Sequence, residues 1–352
     1  MKHNKLKVLL VGTRSVHIRN FVSLISGEIR ELMVMSDNQD PGLSDVQTAI
    51  VEFSIRNPLR IRNSVSHIEK VIREFSPDVI HVHQAGTHAY LAIRANRQTG
   101  APVVVTAWGS DILKVPDMGR MYRKMVKYIL TRADYLTADS EFLARRMRAI
   151  AGDSEREILV ANYGVDPDEA DIAKEKIIYS NRLHKPLYRI DRIIRYFADF
   201  RRATGDKSWK LIIAGEGSET GKLRKIARDE NVELDTGFTG WLDKDYNHAY
   251  YMRSRIFVSI PSTDATSVSL LEAMSCGCIP VVSDLPSNRE WILDGINGII
   301  EQPRGENPFH RALEIPGEEA MRINRSLIRK KATREISREQ FTTLYKKATD
   351  RL

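Results

Sequence analysis

Short apolar runs alternate with longer amphipathic stretches along this chain, and the series occurs twice. The runs at 7–11, 31–35, 78–82, 102–106, 135–138 and 158–161 form the first set. Those at 176–180, 209–214, 256–260 and 279–283 form the second. Helical periodicity fills the gaps, as at 64–75, 122–131, 190–203, 219–231 and 268–276. Strands this short and this apolar are buried on both faces, so helices must cover both sides of a parallel sheet. The pattern predicts an α/β chain of two Rossmann-like domains facing a cleft. The length of 352 residues agrees, because a single core rarely grows so large. The division is predicted at 1–168 and 169–335, within the polar segment 166–174 that carries Pro167. Residues 336–352 are read as a C-terminal helix packing back on the first domain.

The formal net charge of +8 suits an anionic partner: nucleic acid, membrane or a phosphorylated small molecule. No nucleic-acid motif accompanies it, so nucleic acid is set aside. The predicted helix 118–132 carries Arg120, Arg123, Lys124, Lys127 and Arg132 among apolar residues. Such a face suits an anionic membrane surface, and an ordinary solvated face has the same pattern. No apolar run reaches the roughly 18 residues of a membrane span. The opening residues lack a secretory core, so a cytoplasmic protein, peripheral on the inner membrane face, is expected. Cys276 and Cys278 lack zinc spacing and read as small buried hydrophobes, with no metal and no cofactor expected.

Ligands of open parallel sheets bind beyond the C-terminal strand ends. After the run 256–260 come Asp264, Ala265, Thr266 and Ser267, and then a helix carrying Leu271 and Glu272. Carboxylates on both sides of a helix start can accept hydrogen bonds from sugar or ribose hydroxyls, while the helix end takes phosphate. Capping by Asp264 and solvation of Glu272 is the plainer alternative. After the run 176–180 come Arg182 and Lys185, a planar fork and a point charge for phosphate oxygens. After 209–214 come Gly215 and Gly217, with Gly221 further on, where a ligand can approach the backbone or a simple turn can form. In the first half, Arg14 and His17 follow the first strand, His83 ends the third run, and Trp108 and Asp111 follow the fourth.

Asp264 and Glu272, seven residues apart in the intervening count, stand with Ala273, Met274, Gly277, Pro280, Asn297 and Gly298. Together they resemble the signature of the retaining glycosyltransferases of family four. The resemblance covers most of the chain and is strongest over 177–300. It implies the GT-B architecture and a nucleotide-sugar donor, UDP- or GDP-linked. The acceptor would be a glycan or a lipid-linked intermediate of cell-surface polysaccharide synthesis. It implies that Arg182, with Lys185 as the second cation, contacts the diphosphate, and that Gly215 and Gly217 face the donor. Thr239 and Gly240 would meet the nucleobase, Glu272 the ribose, and Asp264 with Ala265, Thr266 and Ser267 the transferred sugar, Leu271 lying alongside. Arg14, His17, His83 and Trp108 would line the acceptor side. Arg182, Lys185, Asp264 and Asp111 are the expected catalytic set. Two positions depart from the family: Asp264 replaces its usual Glu, and Trp108 replaces its usual His. Indole cannot serve as a base. In the front-face mechanism proposed for the family, the departing phosphate oxygen takes the acceptor proton instead. A nucleotide-sugar 2-epimerase of the same architecture and a non-catalytic donor-binding subunit are the rival readings.

Overall fold

The computed structural model describes residues 6–350 apart from 169, 171 and 303. The chain divides into two compact units, Met1–Tyr163 with Arg334–Leu352, and Gly164–Thr333. The first crossing thus falls ahead of the expected 168/169, and residue 169 itself lies outside the described residues. The reason is local. The N–H of Val165 donates to Ala332 O at 2.8 Å, and Ser275 Oγ meets both Asp166 O (3.2 Å) and Asp168 N (3.3 Å). Residues 164–168 are therefore already held by the second unit. The second crossing lies at Thr333/Arg334 instead of 335/336.

In the first unit β1 (Lys7–Val11), α1 (Val16–Ile25), β2 (Glu31–Ser36), β3 (Gln47–Ile50), α2 (Pro58–Phe75), β4 (Val79–His83) and α3 (Thr87–Ala95) follow in order. They continue as β5 (Val103–Thr106), α4 (Ser110–Leu113), α5 (Arg120–Arg132), β6 (Tyr135–Ala138), α6 (Glu141–Ala151) and β7 (Leu159–Val160). The sheet order is β3-β2-β1-β4-β5-β6-β7, and every pairing is parallel. β3 was not predicted. Its sequence is half polar and its residues are exposed or half-buried at the sheet edge, so the apolar signal of an inner strand is missing. α2 starts before the predicted 64, because Asn57 caps it by accepting from the Arg60 N–H (2.9 Å) and Pro58 opens it.

The second unit runs β8 (Glu175–Ser180), α7 (Ile190–Thr204), β9 (Lys210–Ala214), α8 (Thr220–Asp229), β10 (Thr236–Gly240), α9 (Lys244–Arg253) and β11 (Ser254–Ser259). Then come α10 (Val268–Ser275), β12 (Ile279–Ser283), β13 (Ile299–Glu301), α11 (Pro308–Glu314) and α12 (Gly317–Lys331). Its sheet order is β10-β9-β8-β11-β12-β13, again parallel. One core lies on each face: Phe197, Phe200 and Phe309 fill one side, Tyr179, Phe257 and Met274 the other. Cys276 and Cys278 belong to the second core as buried free thiols. Lys174, expected to be a linker residue, instead sends its ammonium to the carbonyls of Tyr251 (3.1 Å), Met252 (2.7 Å) and Cys276 (2.6 Å). It thereby satisfies orphan carbonyls at the ends of α9 and α10.

The last helix, α13 (Arg334–Thr349), returns to the first unit. Phe341 meets Phe21 of α1 edge to face at 4.8 Å, and Arg338 Nε donates to Leu24 O at 3.2 Å. Tyr345 OH lies 2.6 Å from Nδ1 of His81, whose Nε2 lies 2.6 Å from Thr106 Oγ1. Burial lowers the His81 pKa from 6.5 to about 3. The unfolded ring therefore takes a proton that the folded ring refuses. The stabilising contribution of neutral His81 is full above pH 6.5 and is lost as pH falls toward about 3. Tyr345→Phe leaves a buried ring nitrogen without its partner. It is expected to lower the unfolding free energy by about 1–3 kcal/mol. Denaturant titration at neutral pH measures this, and an unchanged midpoint would contradict it.

Candidate functional site

In the second sheet, the chain winds one way from β8 through β9 to β10 and the other way from β11 through β12 to β13. The ends of the neighbouring strands β8 and β11 therefore diverge into loops that leave a crevice between them. Arg182 follows β8, and Asp264 and Ser267 follow β11. The Arg182 guanidinium donates through Nη1 to Ser267 Oγ and through Nη2 to Asp264 Oδ2 at 2.6 Å. Its plane lies 4.6 Å from the ring centre of Tyr188. The Arg182 side chain is 13% exposed and that of Asp264 is 26% exposed. The pair is thus neither sealed in the core nor free in solvent. Ser267 occupies the N-cap position of α10, yet its hydroxyl makes no capping bond and accepts from Arg182 instead. The start of α10 thus combines a positive dipole end with a guanidinium. Thr266, next to it, is buried with Oγ1 lacking a hydrogen-bond partner.

The glycines after β9 answer to a close approach, but of the chain to itself. A Cβ at Gly215, where φ is +98°, would stand 2.9 Å from Arg182 O. One at Gly217 would stand 2.4 Å from His184 O. The two loops are also cross-bonded: His184 N–H donates to Glu216 O at 3.1 Å and Glu219 N–H to His184 O at 3.0 Å. Gly215 N–H further donates to Gly240 O at 2.7 Å, which ties in the end of β10. Gly221 has nothing within 4 Å of an added Cβ and takes no part in this contact.

Glu272 projects from α10 and accepts from Tyr251 OH at 3.0 Å. The same hydroxyl receives Asn181 Nδ2 at 2.7 Å, and Asn181 also reaches Asn247 Oδ1 at 3.0 Å. Burial raises the Glu272 pKa, opposed chiefly by the Tyr251 hydrogen bond. Tyr251, Asn181 and Asn247 were not selected from the sequence. Tyr and Asn carry no spacing signature, and α9 shows no apolar face that would mark a special tyrosine. Of the other expected residues, Ala265 and Leu271 are buried, while Thr239 is half-buried and donates to Gly240 O at 3.2 Å. Lys185 is exposed at the start of a tight turn. Arg189, just beyond, is committed to the carbonyls of Ile260 and Pro261, both at 2.7 Å.

The first unit gathers a second group at its own strand ends. The Trp108 indole lies parallel to Tyr163 (centroids 4.0 Å apart) and to His17 (5.3 Å). Its Nε1 donates to His83 Nδ1 at 3.0 Å. His83 is buried, and burial holds its pKa well below 6.5. It is a core member and not a solvent-facing residue. Tyr163 was not selected as a site residue, because it sits at the unit boundary, outside any run. Asp111, expected to be catalytic, is buried with Oδ2 accepting from Ala85 N–H (2.8 Å) and Oδ1 from Trp108 N–H (3.1 Å). Burial raises its pKa and those amides counter it. The carboxylate fastens the loops after β4 and β5 together. Arg14 has an exposed side chain, and its N–H donates to Asp37 Oδ1 at 3.1 Å.

Two families match in tandem: residues 167–315 match "Glycosyl transferases group 1" and residues 7–140 match "Glycosyl transferase 4-like". The chain belongs to the group 1 glycosyltransferases. An uncharacterized glycosyltransferase of Methanocaldococcus jannaschii is 30% identical over 143 residues, 40% of this chain and 35% of that protein. The N-acetyl-alpha-D-glucosaminyl L-malate synthase of Bacillus anthracis is 23% identical over 60% of this chain and 58% of its own length. This chain therefore spans well under two thirds of either relative. Anabaena HepE in complex with UDP and glucose superposes with a TM-score of 0.80 at 13% identity, covering 97% of this chain and 100% of that one. Sucrose-phosphate synthase of Thermosynechococcus elongatus gives 0.79 at 14% identity, with 98% and 99% coverage. These likenesses establish the GT-B fold.

The glycine contact yields a test. In Gly217→Ala the new methyl would have to displace backbone. The substitution is expected to lower stability by about 1–3 kcal/mol. Gly221→Ala, inside α8, should be neutral or stabilising by up to about 1 kcal/mol. Thermal melts of the two variants check the contrast, and equal effects would contradict it.

Proposed function

We propose that this group 1 glycosyltransferase moves a sugar from a UDP- or GDP-sugar to a glycan or lipid-linked acceptor with retention of anomeric configuration. The carrying observation is the Arg182 fork on Ser267 and Asp264 at the start of α10. A diphosphate placed there meets a guanidinium and a helix N-terminus. Glu272 takes the ribose hydroxyls, and Asp264 with the loop to Ser267 meets the transferred sugar. Two solved structures of the same fold, those of Anabaena HepE, are described with UDP-glucose and with UDP and glucose, which supports a nucleotide-sugar donor.

In the proposed reaction the bond from the anomeric carbon to the diphosphate oxygen breaks. The acceptor oxygen bonds to the same face of that carbon, and its proton passes to the departing phosphate oxygen. Arg182 stabilises the charge that develops on that leaving group. Asp111 acts by positioning the loops around Trp108, and Trp108 with His17 offers a flat wall to the acceptor. Lys185 remains the proposed second cation, brought to the phosphates by movement of its exposed side chain.

Arg182→Lys keeps the charge and loses the fork. It is expected to reduce kcat/KM for the donor by about 10²-fold. The measurement is nucleotide release from a panel of UDP- and GDP-sugars with candidate acceptors, with the product anomer read by NMR. An inverted product would overturn retention. Release or rearrangement of the donor without acceptor would favour the epimerase.

The helix α5 supports a place on the cytoplasmic membrane face. Its inner side buries Met125, Val126, Ile129 and Leu130, while Arg120, Arg123, Lys124, Lys127 and Arg132 are exposed. Met118, two residues before it, and Met121 in its first turn are 66% and 63% exposed. No helix among the described residues is long and apolar enough to cross a membrane. Basic residues near an anionic surface contribute about 1 kcal/mol each. The wild type is expected to sediment with phosphatidylglycerol vesicles and not with phosphatidylcholine alone. Replacing Arg123, Lys124 and Lys127 by Glu should abolish that binding, and retained sedimentation would refute the docking role.

A further inference from the structure

Asn181 immediately precedes Arg182, and its amide has only one consistent orientation. Asn247 sends its own Nδ2 to the carbonyls of Leu242 (3.2 Å) and Asp243 (3.1 Å). Its Oδ1 therefore faces Tyr179 OH at 2.6 Å and Asn181 at 3.0 Å. Tyr251 has one hydroxyl hydrogen, directed at the Glu272 carboxylate, so it presents a lone pair to Asn181. Both neighbours of Asn181 offer acceptors, and its Nδ2 satisfies both. The chain of bonds runs from Glu272 on α10, through Tyr251 on α9, to the residue that begins the Arg182 loop.

We infer that Tyr251 is the positioning residue of the donor site. One hydroxyl holds Asn181, and with it the strand end carrying Arg182, in register with the Glu272 carboxylate. The inference rests on the donor reading above. It adds a residue that touches neither phosphate nor ribose but sets the distance between the groups that do. A buried phenol that bridges two side chains leaves both short of a partner when it is lost, and each unmet bond in such a place is costly.

The same bond bears on protonation. A ribose diol offers two O–H donors, which an ionised carboxylate accepts and a protonated one accepts less well. Burial favours the neutral form of Glu272, and the Tyr251 hydroxyl opposes it. The other titratable or charged groups around Glu272 are Lys244 and His248 on α9, Asp166 ahead of β8, Tyr179 on β8 and Cys276 just past the end of α10. Nucleotide affinity should therefore fall as pH drops through the Glu272 pKa. Removing the hydroxyl should move that fall to higher pH.

The test is calorimetric titration of the full chain with UDP and with GDP over roughly pH 4 to 8, for wild type, Tyr251→Phe, Tyr250→Phe and Glu272→Gln. Tyr250 stacks on Tyr179 at 5.2 Å and bonds to neither Asn181 nor Glu272, so its variant should match wild type. Tyr251→Phe keeps the ring. It is expected to weaken the bound nucleotide about tenfold near neutral pH and to shift the acid limb upward. Weakening with an unmoved limb would mean a merely structural tyrosine and would overturn the inference. Glu272→Gln should leave only the limb set by the nucleotide's own terminal phosphate, which titrates at about pH 6. If that variant reproduces the wild-type profile unchanged, the donor reading itself falls, and the inference with it.

Discussion

A single guanidinium ties together two loops that the winding order forces apart. Arg182 stands at the end of β8, Asp264 and Ser267 beyond the end of β11, and the sheet places those strands side by side while sending their continuations in opposite directions. A partly exposed ion pair of this kind adds little to stability. Its effect is geometric: it fixes where positive charge and open helix amides meet. That arrangement tolerates little slack on the β9 side, because Gly215 and Gly217 leave no room for a side chain between the two loops. The site is thus assembled from backbone contact first and charge second.

The fold could be read from the sequence where a strand of the sheet interior was buried on both faces. β1, β4, β5, β8, β11 and β12 all appear as apolar runs, and their flanking helices as amphipathic intervals. β3, β10 and β13 did not appear, since an edge strand needs only part of the apolar signal or is very short. Arg182, Asp264 and Ser267, singled out by their position after a strand, do meet in the structure, because that position constrains what they can face. Tyr251 and Asn181 were invisible for the opposite reason. Their partnership depends on how α9 packs against α10, and no local spacing encodes it. Asp111 shows a further limit: a carboxylate holding amides and a carboxylate holding substrate look identical in one dimension.

Trp108 is more than the absence of a histidine. By giving its indole hydrogen to His83 Nδ1, it fixes the neighbouring imidazole as the Nε2–H tautomer. The one basic nitrogen of that ring is occupied, and burial further disfavours its protonation. This strand end therefore presents flat, weakly polar rings in place of a proton acceptor. Such a surface suits the proposed chemistry, in which the departing phosphate handles the proton.

The first unit is closed by a helix that follows the whole of the second in sequence. α13 brings Tyr345 to His81 and Phe341 to Phe21, although its partners precede it by most of the sequence. During synthesis, β1 to β7 emerge with an imidazole still lacking its phenol, whereas the unit from Gly164 to Thr333 is continuous and needs no later segment. The half that begins earlier thus depends on a segment made only after the whole of the other half has been translated.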